Sequence, residues 1–439
     1  MLMCDQGPIF KINVLGHQIV FVGSVALLEE ICDETRFRKL VTGPVVEMRY
    51  SVNDSLFVAY DHEKSWGIAH RLIYPYVSRE AVDTAISFRD MSEIIGDLTG
   101  KWSSSPKQSV RATDDLDVTL LSSCVKCFFN QRLHVLDESN PNDERKKARE
   151  MVQAFEGATT EAMRRPTRPW FLNWLYQGRF DDQTKYMRGY AAEIVKSRKE
   201  NTTTQSRNDM LDAMLNGTDS ETGEKLKDSQ VIDEVITILI GAATAANLIS
   251  YALYFLIENP TAHKKACDEI DAIVGNGPID LAHLKELHYV EACLRESIRL
   301  SATAPGFNIE PIPSKTDDKS PVLLAGGQYQ VPHNQGIIPI LNAVNRDPAV
   351  FEFPEEFRPE QVLGDKWDNL PAGAKKGFGN GKRECIGKAW AWQWSFLTLA
   401  SIIKEVSFEF ADPNYKLHVN GAFSIKPLNF DLLMSPRQK

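Results

Sequence analysis

Apolar and polar positions alternate at the start of the chain and then follow a helical period over most of its length. Residues 8–24 alternate on both sides of Leu15-Gly16, which predicts a β-hairpin with its turn at this pair. From about Ala26 to Pro305, apolar residues recur every three or four positions, as they do in amphipathic helices. Polar breaks at Glu138–Asp143 and Lys199–Asn208 divide this region, which is therefore predicted to be a series of helices.

The pattern changes after Pro305, where short apolar runs are separated by Gly and Pro. These runs predict β-strands around Pro321–Val331 and Gly336–Leu341, with further β segments near the C-terminus. A last helix is predicted from Ile386 to about Lys404. Because there is no internal repeat and no obvious linker, we expect one mainly α domain with a minor β part (α+β) over residues 1–439.

The longest apolar run, Val235–Ile257, has no charged residue and is long enough to cross a bilayer. Its flanks favour a buried soluble helix instead, since Asp228 and Ser229 are suitable N-caps and Asn259-Pro260 closes the far end. Both flanks are acidic, and Asn247 would lie near the centre of a bilayer. The middle of the run is nearly all small residues, so the helix either packs in the core or leaves its centre bare for another group.

Composition and charge argue against several classes of protein. The 43% hydrophobic and 25% charged residues are those of an ordinary globular chain, and the net charge of −9 gives no support to nucleic-acid binding. Seven scattered cysteines form no disulfide framework, and Cys124 and Cys127 are predicted to be packed helix cysteines. The N-terminus lacks the order of a signal peptide. We expect a soluble, cytoplasmic protein with no transmembrane anchor in this chain, and a membrane-associated native form stays open.

The clearest chemical feature is a glycine-rich loop near the C-terminus that ends in a cysteine. Gly377, Gly379 and Gly381 predict a tight turn with inward backbone N–H groups, and Cys385 stands where this turn meets the last helix. A cysteine at a helix N-terminus, two residues after Arg383, is expected to have a lowered pKa. The segment offers no histidine base for a nucleophile and no further Cys or His for zinc. A single thiolate with an open coordination shell fits haem iron best.

The residues FGNGKRECIG, Phe378–Gly387, resemble the haem-binding signature of the cytochrome P-450 family, Phe-x-x-Gly-x-Arg-x-Cys-x-Gly, at every fixed position. Glu296-Ser-Ile-Arg299 is similar to the Glu-x-x-Arg pair of that family, and FRPEQV resembles the segment that gives the pair a partner through Arg358. The resemblance runs over nearly the whole chain and looks closest to the haem domain of self-sufficient bacterial and fungal fatty-acid hydroxylases. It implies that Glu296, Arg299 and Arg358 form a buried charge network that holds the fold.

This resemblance implies haem b (iron protoporphyrin IX) as the cofactor, with Cys385 as its axial thiolate ligand. The thiolate would donate electron density to the iron and favour cleavage of the O–O bond. Backbone N–H groups from Gly379 to Gly387 would hydrogen-bond the sulfur, and Phe378 would pack beside it. Three side chains would pair with the haem propionates: Arg383, Trp66 and His70.

In the same family, the long apolar helix crosses the face of the haem, and its small central residues leave room for oxygen and substrate. Gly241 and Thr244 resemble the family pattern Ala/Gly-Gly-x-Asp/Glu-Thr, which makes Gly241, Ala243 and Thr244 the candidate catalytic positions. Ala243 stands where the pattern has an acid, so the helix keeps the alcohol of the pair and lacks the acid. Ile240 also departs from the pattern, at its first position. Four residues would line the substrate pocket: Phe57, Ile240, Ala304 and Pro305.

A haem-thiolate monooxygenase that inserts one oxygen atom into an apolar or amphipathic small molecule is the leading interpretation. Ala243 keeps a second one open, a haem-thiolate enzyme that uses peroxide or that dehydrates, dehydrogenates or rearranges its substrate. A third is a non-catalytic haem-binding protein, against which stand the complete Cys385 loop and Thr244. Electrons would come from an NADPH-dependent flavin reductase, either separate or fused.

Two features of the chain differ from the fatty-acid hydroxylases: the residues at their carboxylate-binding positions and the segment of the protein that the chain covers. Their carboxylate-binding Arg and Tyr align with His17 and Phe21, so we do not expect fatty acids to be the main substrates. The chain corresponds to a haem domain that begins at about the first strand, without the usual N-terminal helix or anchor, and it shows no flavin-binding segment. It fits either the haem domain of a fusion or a separate protein.

Overall fold

The computed structural model of the chain describes residues 7–438 with a few gaps. The residues outside the description are 15, 105–106, 137–142, 201–207, 314–319 and 422, and for residues 14, 17 and 242 the side chains are also left out. Most of the two predicted polar breaks, Glu138–Asp143 and Lys199–Asn208, lies outside the described residues.

Helices make up most of the described chain. In chain order they are α1 Val25–Ile31, α2 Pro44–Val52, α3 Lys64–Ile73, α4 Arg79–Val82, α5 Ala85–Ser103, α6 Ala112–Phe129, α7 Glu144–Arg164, α8 Trp174–Glu200, α9 Met210–Asn216, α10 Asp228–Glu258, α11 Pro260–Ile273, α12 Leu281–Glu286, α13 His288–Leu300, α14 Leu341–Val344, α15 Asp365–Asp368 and α16 Lys388–Glu405. The strands are β1 Ile9–Val14, β2 His17–Val22, β3 Phe37–Lys39, β4 Gln108–Arg111, β5 Ile309–Pro311, β6 Val322–Leu324, β7 Tyr329–Val331, β8 Ile337–Pro339, β9 Val406–Phe410 and β10 Asp431–Pro436. The predicted α+β class, mainly α with a minor β part, is confirmed.

The predicted β-hairpin is present at the start of the described chain. β1 and β2 pair antiparallel from Ile9↔Val22 to Val14↔His17, so their connection falls at Leu15-Gly16 as expected. β2 also pairs parallel with β8, which extends the sheet to five strands in the order β1-β2-β8-β5-β3. The sheet therefore joins the first residues of the chain to the region after Pro305.

Two strands lie where the hydrophobic pattern predicts helix. β3 has three residues and β4 has four. β3 pairs with β5, and β4 pairs with β10 in a sheet of the order β4-β10-β9. Strands this short show no readable alternation, and because their partners come from distant segments, a local pattern does not reveal them.

Helix α10 contains the long apolar run and packs against α6, α8, α13 and α16. Among the described helices it is the one long and apolar enough to cross a membrane, and 71% of its most apolar stretch is buried inside the protein. At its start, the Gln230 side chain accepts the Lys227 N–H at 3.0 Å, and Asn259 ends it before Pro260. It is a core helix, as its flanks predict.

The two neighbouring cysteines of α6 are packed, as predicted. Cys124 is buried, and burial raises its pKa well above the usual value. Burial also raises the pKa of Cys127 to about 12. Both thiols are therefore protonated at neutral pH and act as small apolar side chains.

Helix α10 buries an acid as well as its apolar residues. Glu234 is buried, its Oε1 accepts the Leu56 N–H at 2.9 Å, and its Oε2 has no hydrogen-bond partner among the described residues. Burial raises the pKa of Glu234 to about 8, with Asp233 and Asp54 acting in the same direction and the Leu56 N–H opposing them. The folded protein therefore keeps this carboxyl protonated at neutral pH.

We expect Glu234→Gln to remove part of the pH dependence of stability. Between the ordinary pKa of 4.5 and the folded-state pKa of about 8, the folded chain holds one more proton at this site than the unfolded chain. The free energy of unfolding therefore falls by about 1.4 kcal/mol per pH unit in this window because of Glu234, and this contribution levels off above it. Urea unfolding across the window should show a shallower fall for the variant.

Glu258→Gln is the matched control for this measurement, because it removes an exposed acid from the end of the same helix. We expect its stability to follow the wild-type slope. Parallel slopes for the wild type and Glu234→Gln would mean that the folded protein holds Glu234 ionised.

A buried ion pair links α13 to the chain that leads to the cysteine loop. Arg299 Nε and Nη2 each donate to a carboxylate oxygen of Glu296 at 2.7 Å, and both side chains are almost fully buried. Arg299 also donates to the carbonyls of Asn345, Pro354 and Glu356 at 2.7–2.9 Å. One guanidinium thus fixes three points of the segment after α14.

Arg358 enters this network through its backbone, and the prediction that its side chain belongs to the buried network is wrong. Its N–H donates to Glu296 at 2.9 Å, whereas its guanidinium lies near the surface, 2.8 Å from Glu356 and over the ring of Phe353. The Gln361 side chain supplies the further donor, 2.7 Å from the same oxygen of Glu296. The neutral amide satisfies the carboxylate without burying a second cation.

Candidate active site

The glycine-rich loop folds back so that Cys385 meets the backbone of Phe378. The Cys385 N–H donates to the Phe378 carbonyl at 2.8 Å. Gly379 and Gly381 have φ of +89° and +58°, where residues with a side chain are rarely found. A Cβ at Gly381 would also meet the carboxyl group of Glu34. These glycines are required for the turn that presents Cys385.

The Cys385 thiol has an N–H donor, but the expectation of a lowered pKa is wrong. The Gly387 N–H hydrogen-bonds the sulfur and favours the thiolate, yet burial outweighs this bond and raises the pKa. Helix α16 begins at Lys388, so Cys385 lies before its first turn. The Arg383 guanidinium is bonded to Asp61 at 3.0 Å. Burial therefore decides the direction of the pKa shift of Cys385, and this direction cannot be deduced from the sequence of the loop.

We infer that Cys385 faces an internal cleft. It has the accessible surface of an exposed residue, although the protein around it is dense enough to desolvate its thiolate. Gly241 is similarly exposed at the middle of α10, most of which is buried, and a Cβ built there would meet no atom within 4 Å. Because α10 packs against α16, which follows Cys385, we assign both positions to one cleft.

The middle of α10 carries an alcohol without a neighbouring acid. Thr244 is half-buried, and its Oγ1 donates to the Gly241 carbonyl at 3.1 Å. Ala243 is buried and Ile240 is half-buried against the same core. The helix thus presents small residues and one hydroxyl to the cleft.

Arg383, Trp66 and His70 come together beside the loop. The Arg383 guanidinium lies 5.1 Å from the centre of the Trp66 ring, and the Trp66 and His70 rings are 5.1 Å apart on α3. Burial lowers the pKa of His70, and the cations of Arg71 and Arg383 lower it further. The cluster therefore holds an almost buried cation, paired with Asp61, beside two rings that can donate N–H hydrogen bonds.

A second basic side chain lies close by, against the ring of Phe57. Lys39 Nζ donates to the Phe57 carbonyl at 2.5 Å and lies 4.7 Å from the centre of the ring. Burial lowers the pKa of Lys39 to about 7, with repulsion from Arg383 acting in the same direction and Asp61 opposing it. The Phe57 ring is 38% exposed and meets Phe423 edge to face at 5.5 Å. Phe57 is therefore partly exposed and is not a residue of the core.

The C-terminal loop that carries Phe423 is tied to the rest of the site. Asn247 Nδ2 donates to the Ser424 hydroxyl at 2.6 Å, which joins the loop to α10. The Ile425 N–H donates to the Thr303 carbonyl at 2.9 Å, which joins it to the segment before β5. Two residues predicted to line the pocket follow Thr303 and are half-buried: Ala304 and Pro305.

Two charged residues of this region were not predicted. Asp61 lies five residues before Trp66, and this closeness in sequence is the one local signal for it. Lys39 belongs to β3, which the hydrophobic pattern assigns to helix. Asp61 contacts Arg383, and Lys39 contacts Phe57, only once the chain is folded.

Comparison with known proteins shows the family. The family model described as Cytochrome P450 matches residues 1–434. The bifunctional cytochrome P450/NADPH–P450 reductase ascE of Acremonium egyptiacum is 35% identical over 431 residues, which are 97% of this chain and 40% of that protein. The chain belongs to the cytochrome P450 family.

Further relatives have the same relation to this chain. The self-sufficient cytochrome P450 monooxygenase CYP505U2 of Exserohilum turcicum is 35% identical over 443 residues, 99% of this chain and 39% of that protein. The monooxygenase CYP505E5 of Aspergillus kawachii is 36% identical over 438 residues, 98% of this chain and 40% of that protein. The chain thus spans about two fifths of the length of the curated relatives it matches.

Haem b is the cofactor of this family, and the residues of the cleft fit it. Within the described parts of the chain, no group of three or more His, Cys, Asp and Glu side chains could hold a metal ion. A single cleft thiol suits a metal whose other ligands come from a macrocycle. The small residues around Gly241 leave space on the facing helix, and Arg383 with its two rings supplies donors for carboxylates.

Proposed function

We propose that the chain is the haem-binding part of a monooxygenase that inserts one oxygen atom into an apolar or amphipathic small molecule. The observation that carries this proposal is the exposed Cys385, which the glycine-rich loop presents through the bond of its N–H to the Phe378 carbonyl. Relatives named as self-sufficient monooxygenases support it. Haem, when bound, supplies the activation of molecular oxygen by electrons from a reductase.

The chain's own residues would bind and orient the cofactor. Cys385 would ligate the iron through its thiolate, and Arg383 with Trp66 and His70 would hold the propionates by hydrogen bonds. Asp61 fixes the direction of the Arg383 guanidinium and offsets part of its charge. This edge of the site therefore has hydrogen-bond donors for the two propionates, and Asp61 competes with the propionates for the Arg383 guanidinium.

On the facing helix, Thr244 is the group that can hold a proton near the substrate. Its hydroxyl donates to the Gly241 carbonyl and can turn to another acceptor. The methyl group of Ala243 holds no proton, so delivery of protons would use ordered water or a polar group of the substrate. The rings of Phe57 and Phe423 would limit the entry of bulk water.

Ala243 also favours a second function. A haem-thiolate enzyme that uses peroxide, or that dehydrates, dehydrogenates or rearranges its substrate, has less need of protons from solvent. Such an enzyme could retain Cys385 and Thr244 without the acid.

Turnover with two oxidant systems separates these functions. We expect product to form with NADPH and a P450 reductase, on a substrate chosen by its ability to shift the haem spin state. Product formation with hydrogen peroxide but not with NADPH would favour the second function. Binding without turnover in either system would contradict both and favour a non-catalytic haem-binding protein.

We expect Ala243→Glu not to improve native turnover. A carboxylate without a partner at this buried position costs more than the about 1–3 kcal/mol of an unpaired neutral polar group, and when ionised it changes the charge of the site. In the unmodified protein, we expect poor coupling of NADPH consumption to product with unnatural substrates, with release of hydrogen peroxide. The ratio of product to NADPH measures this, and Ala243→Gln is the control of equal size without charge. Tight coupling of the unmodified protein across unrelated substrates would show that Ala243 is no handicap.

We propose that fatty acids are not the main substrates. Phe21 lies in β2 with its ring stacked on Phe10 at 5.4 Å, and a phenyl ring lacks the hydroxyl that a carboxylate clamp needs. The side chain of His17, the other aligned position, lies outside the described residues. Titration with mid-chain fatty acids tests this, since tight, saturable spin shifts together with efficient hydroxylation would contradict it.

We propose an NADPH-dependent flavin reductase as the electron donor and the cytoplasm as the location. Two relatives, from Acremonium egyptiacum and Aspergillus oryzae, are named as bifunctional cytochrome P450/NADPH–P450 reductases, which supports the donor. The burial of α10 inside the protein is in keeping with a soluble form. Reduction of the haem by NADPH with a purified reductase, and cell fractionation, test the two proposals.

A further inference from the structure

The segment between α2 and α3 carries Phe57 and is held by side chains from two sides. We call residues 53–59 the Phe57 loop. The Ser55 carbonyl accepts the N–H groups of Val58 and Ala59 at 3.0 and 2.9 Å, which closes the loop into one turn around Phe57. Three basic side chains donate to successive carbonyls of the loop at 2.5–2.9 Å: Lys39 to Phe57, Arg49 to Val58 and Arg383 to Ala59. The second half of the loop is therefore fixed by its carbonyls.

Helix α10 holds the first half of the Phe57 loop. Three of its side chains bond to the loop at 2.7–3.1 Å: Asp233 to the Asn53 amide, Thr237 to the Ser55 hydroxyl and Glu234 to the Leu56 N–H. Residues three and four apart are neighbours on a helix surface, so these side chains make one continuous contact with the loop. Glu234 is the one of the three that binds the loop by its backbone, directly before Phe57.

Glu234 is a buried acid whose one described partner is this N–H. It is 2% exposed, and it forms no ion pair in the part of the chain that the structure describes, since Arg188 pairs with the neighbouring Asp233. Its Oε2 has no hydrogen-bond partner among the described residues. A buried carboxyl group costs stability unless it is hydrogen-bonded. The contribution of Glu234 is therefore to the position of the Leu56 N–H.

We propose that Glu234 is a positioning residue that sets the ligand specificity of the cleft. By accepting the Leu56 N–H it fixes the backbone directly before Phe57, whose ring then meets Phe423 edge to face at 5.5 Å. A ring fixed in this place limits the room for a bulky ligand, whereas a ring on a loosened backbone can move away. This role rests on the proposed function, in which Phe57 lines the substrate pocket.

Hydrogen–deuterium exchange of the haem-loaded protein, resolved to the Leu56 N–H, tests the contact with the backbone. We expect Glu234→Leu to speed this exchange by about fivefold or more, because the N–H loses its acceptor. Glu234→Gln keeps a side-chain carbonyl of the same reach and should exchange like the wild type. Leu256→Val is the control, because it alters a fully buried residue of the same helix 22 positions further along. It should leave the exchange of Leu56 unchanged.

Binding of two azoles tests the effect on Phe57. Imidazole and 4-phenylimidazole both bind haem iron and shift its absorption, and they differ in bulk, so the ratio of their Kd values reports the room beside the ring. We expect Glu234→Leu to raise the affinity for 4-phenylimidazole relative to imidazole by about fivefold, since the net strength of one hydrogen bond limits the change. Glu234→Gln and Leu256→Val should keep the wild-type ratio. A fold that is merely less stable would lower both affinities together.

Three results would overturn this role of Glu234. They are a wild-type exchange rate of the Leu56 N–H in Glu234→Leu, a faster exchange with an unchanged affinity ratio, and equal changes in Glu234→Gln and Glu234→Leu. Neither measurement requires turnover. A wild type that binds both azoles but forms no product would therefore contradict the proposed monooxygenase and not the role of Glu234. Thermal melting of each variant checks that the fold is intact.

Discussion

Replacement of Cys385 by alanine is expected to abolish the thiolate-type carbon monoxide band of the reduced protein. The band requires sulfur on the iron, and Cys385 is the exposed cysteine of the described residues, presented by the glycine-rich loop. Cys385→His is expected to give a spectrum without that band even where haem is retained. Spectra after dithionite and carbon monoxide measure this directly.

The matched control is Cys32→Ala. Cys32 is another partly exposed thiol close to the loop, and its carbonyl accepts the Asn380 side chain at 2.7 Å. Burial raises the pKa of its thiol to about 11, so it is a poor source of thiolate. Cys32→Ala should keep the band. A thiolate-type band in Cys385→Ala would remove the haem-ligand assignment.

Glu296→Gln is expected to destabilise the fold by about 3–5 kcal/mol, because it leaves the buried Arg299 cation without its anion. The carbonyls of Asn345, Pro354 and Glu356 can hold the guanidinium but carry no full charge. Urea unfolding of the haem-loaded protein, followed together with loss of haem, measures the change.

Arg358→Ala tests whether the Arg358 side chain belongs to the buried network, as its sequence motif predicts, or lies outside it, as the structure shows. Its guanidinium pairs with Glu356 near the surface, so we expect a loss of about 1 kcal/mol or less. Its backbone N–H to Glu296 is kept in the alanine variant. Equal losses for Arg358→Ala and Glu296→Gln would place the Arg358 side chain in the buried network after all.

Features with a local period were the predictable part of the fold. The hairpin at Leu15-Gly16 follows from alternation alone, and α10 begins at Asp228, although its N-cap is Lys227 and not the predicted Asp228 or Ser229. The last helix begins at Lys388, two residues after the predicted Ile386, because residues 385–387 still belong to the turn that ends the loop. β3 and β4 were missed since they depend on strands far away in the sequence.

The site shows the same division between local and distant causes. Trp66 and His70 share one helix, so their spacing places them together, and the loop motif positions Arg383 beside them. Which way a guanidinium turns is decided by its neighbours in space. Asp61 holds Arg383, and Glu356 holds Arg358, and neither acid could be named from the motifs. The direction of the Cys385 pKa shift was predicted wrongly for the same reason, because the burial that raises this pKa depends on how distant segments pack.

The contacts that close the cleft have a kinetic consequence. The Asp61–Arg383 pair joins positions 322 apart in the chain, and the Asn247–Ser424 bond joins positions 177 apart. Contacts of such sequence separation form late and slow folding, because the intervening chain must be ordered first. The edge that would hold the propionates therefore forms only after segments 322 positions apart have met. Haem uptake during refolding should follow the formation of helix, and its rate would report the last step of assembly.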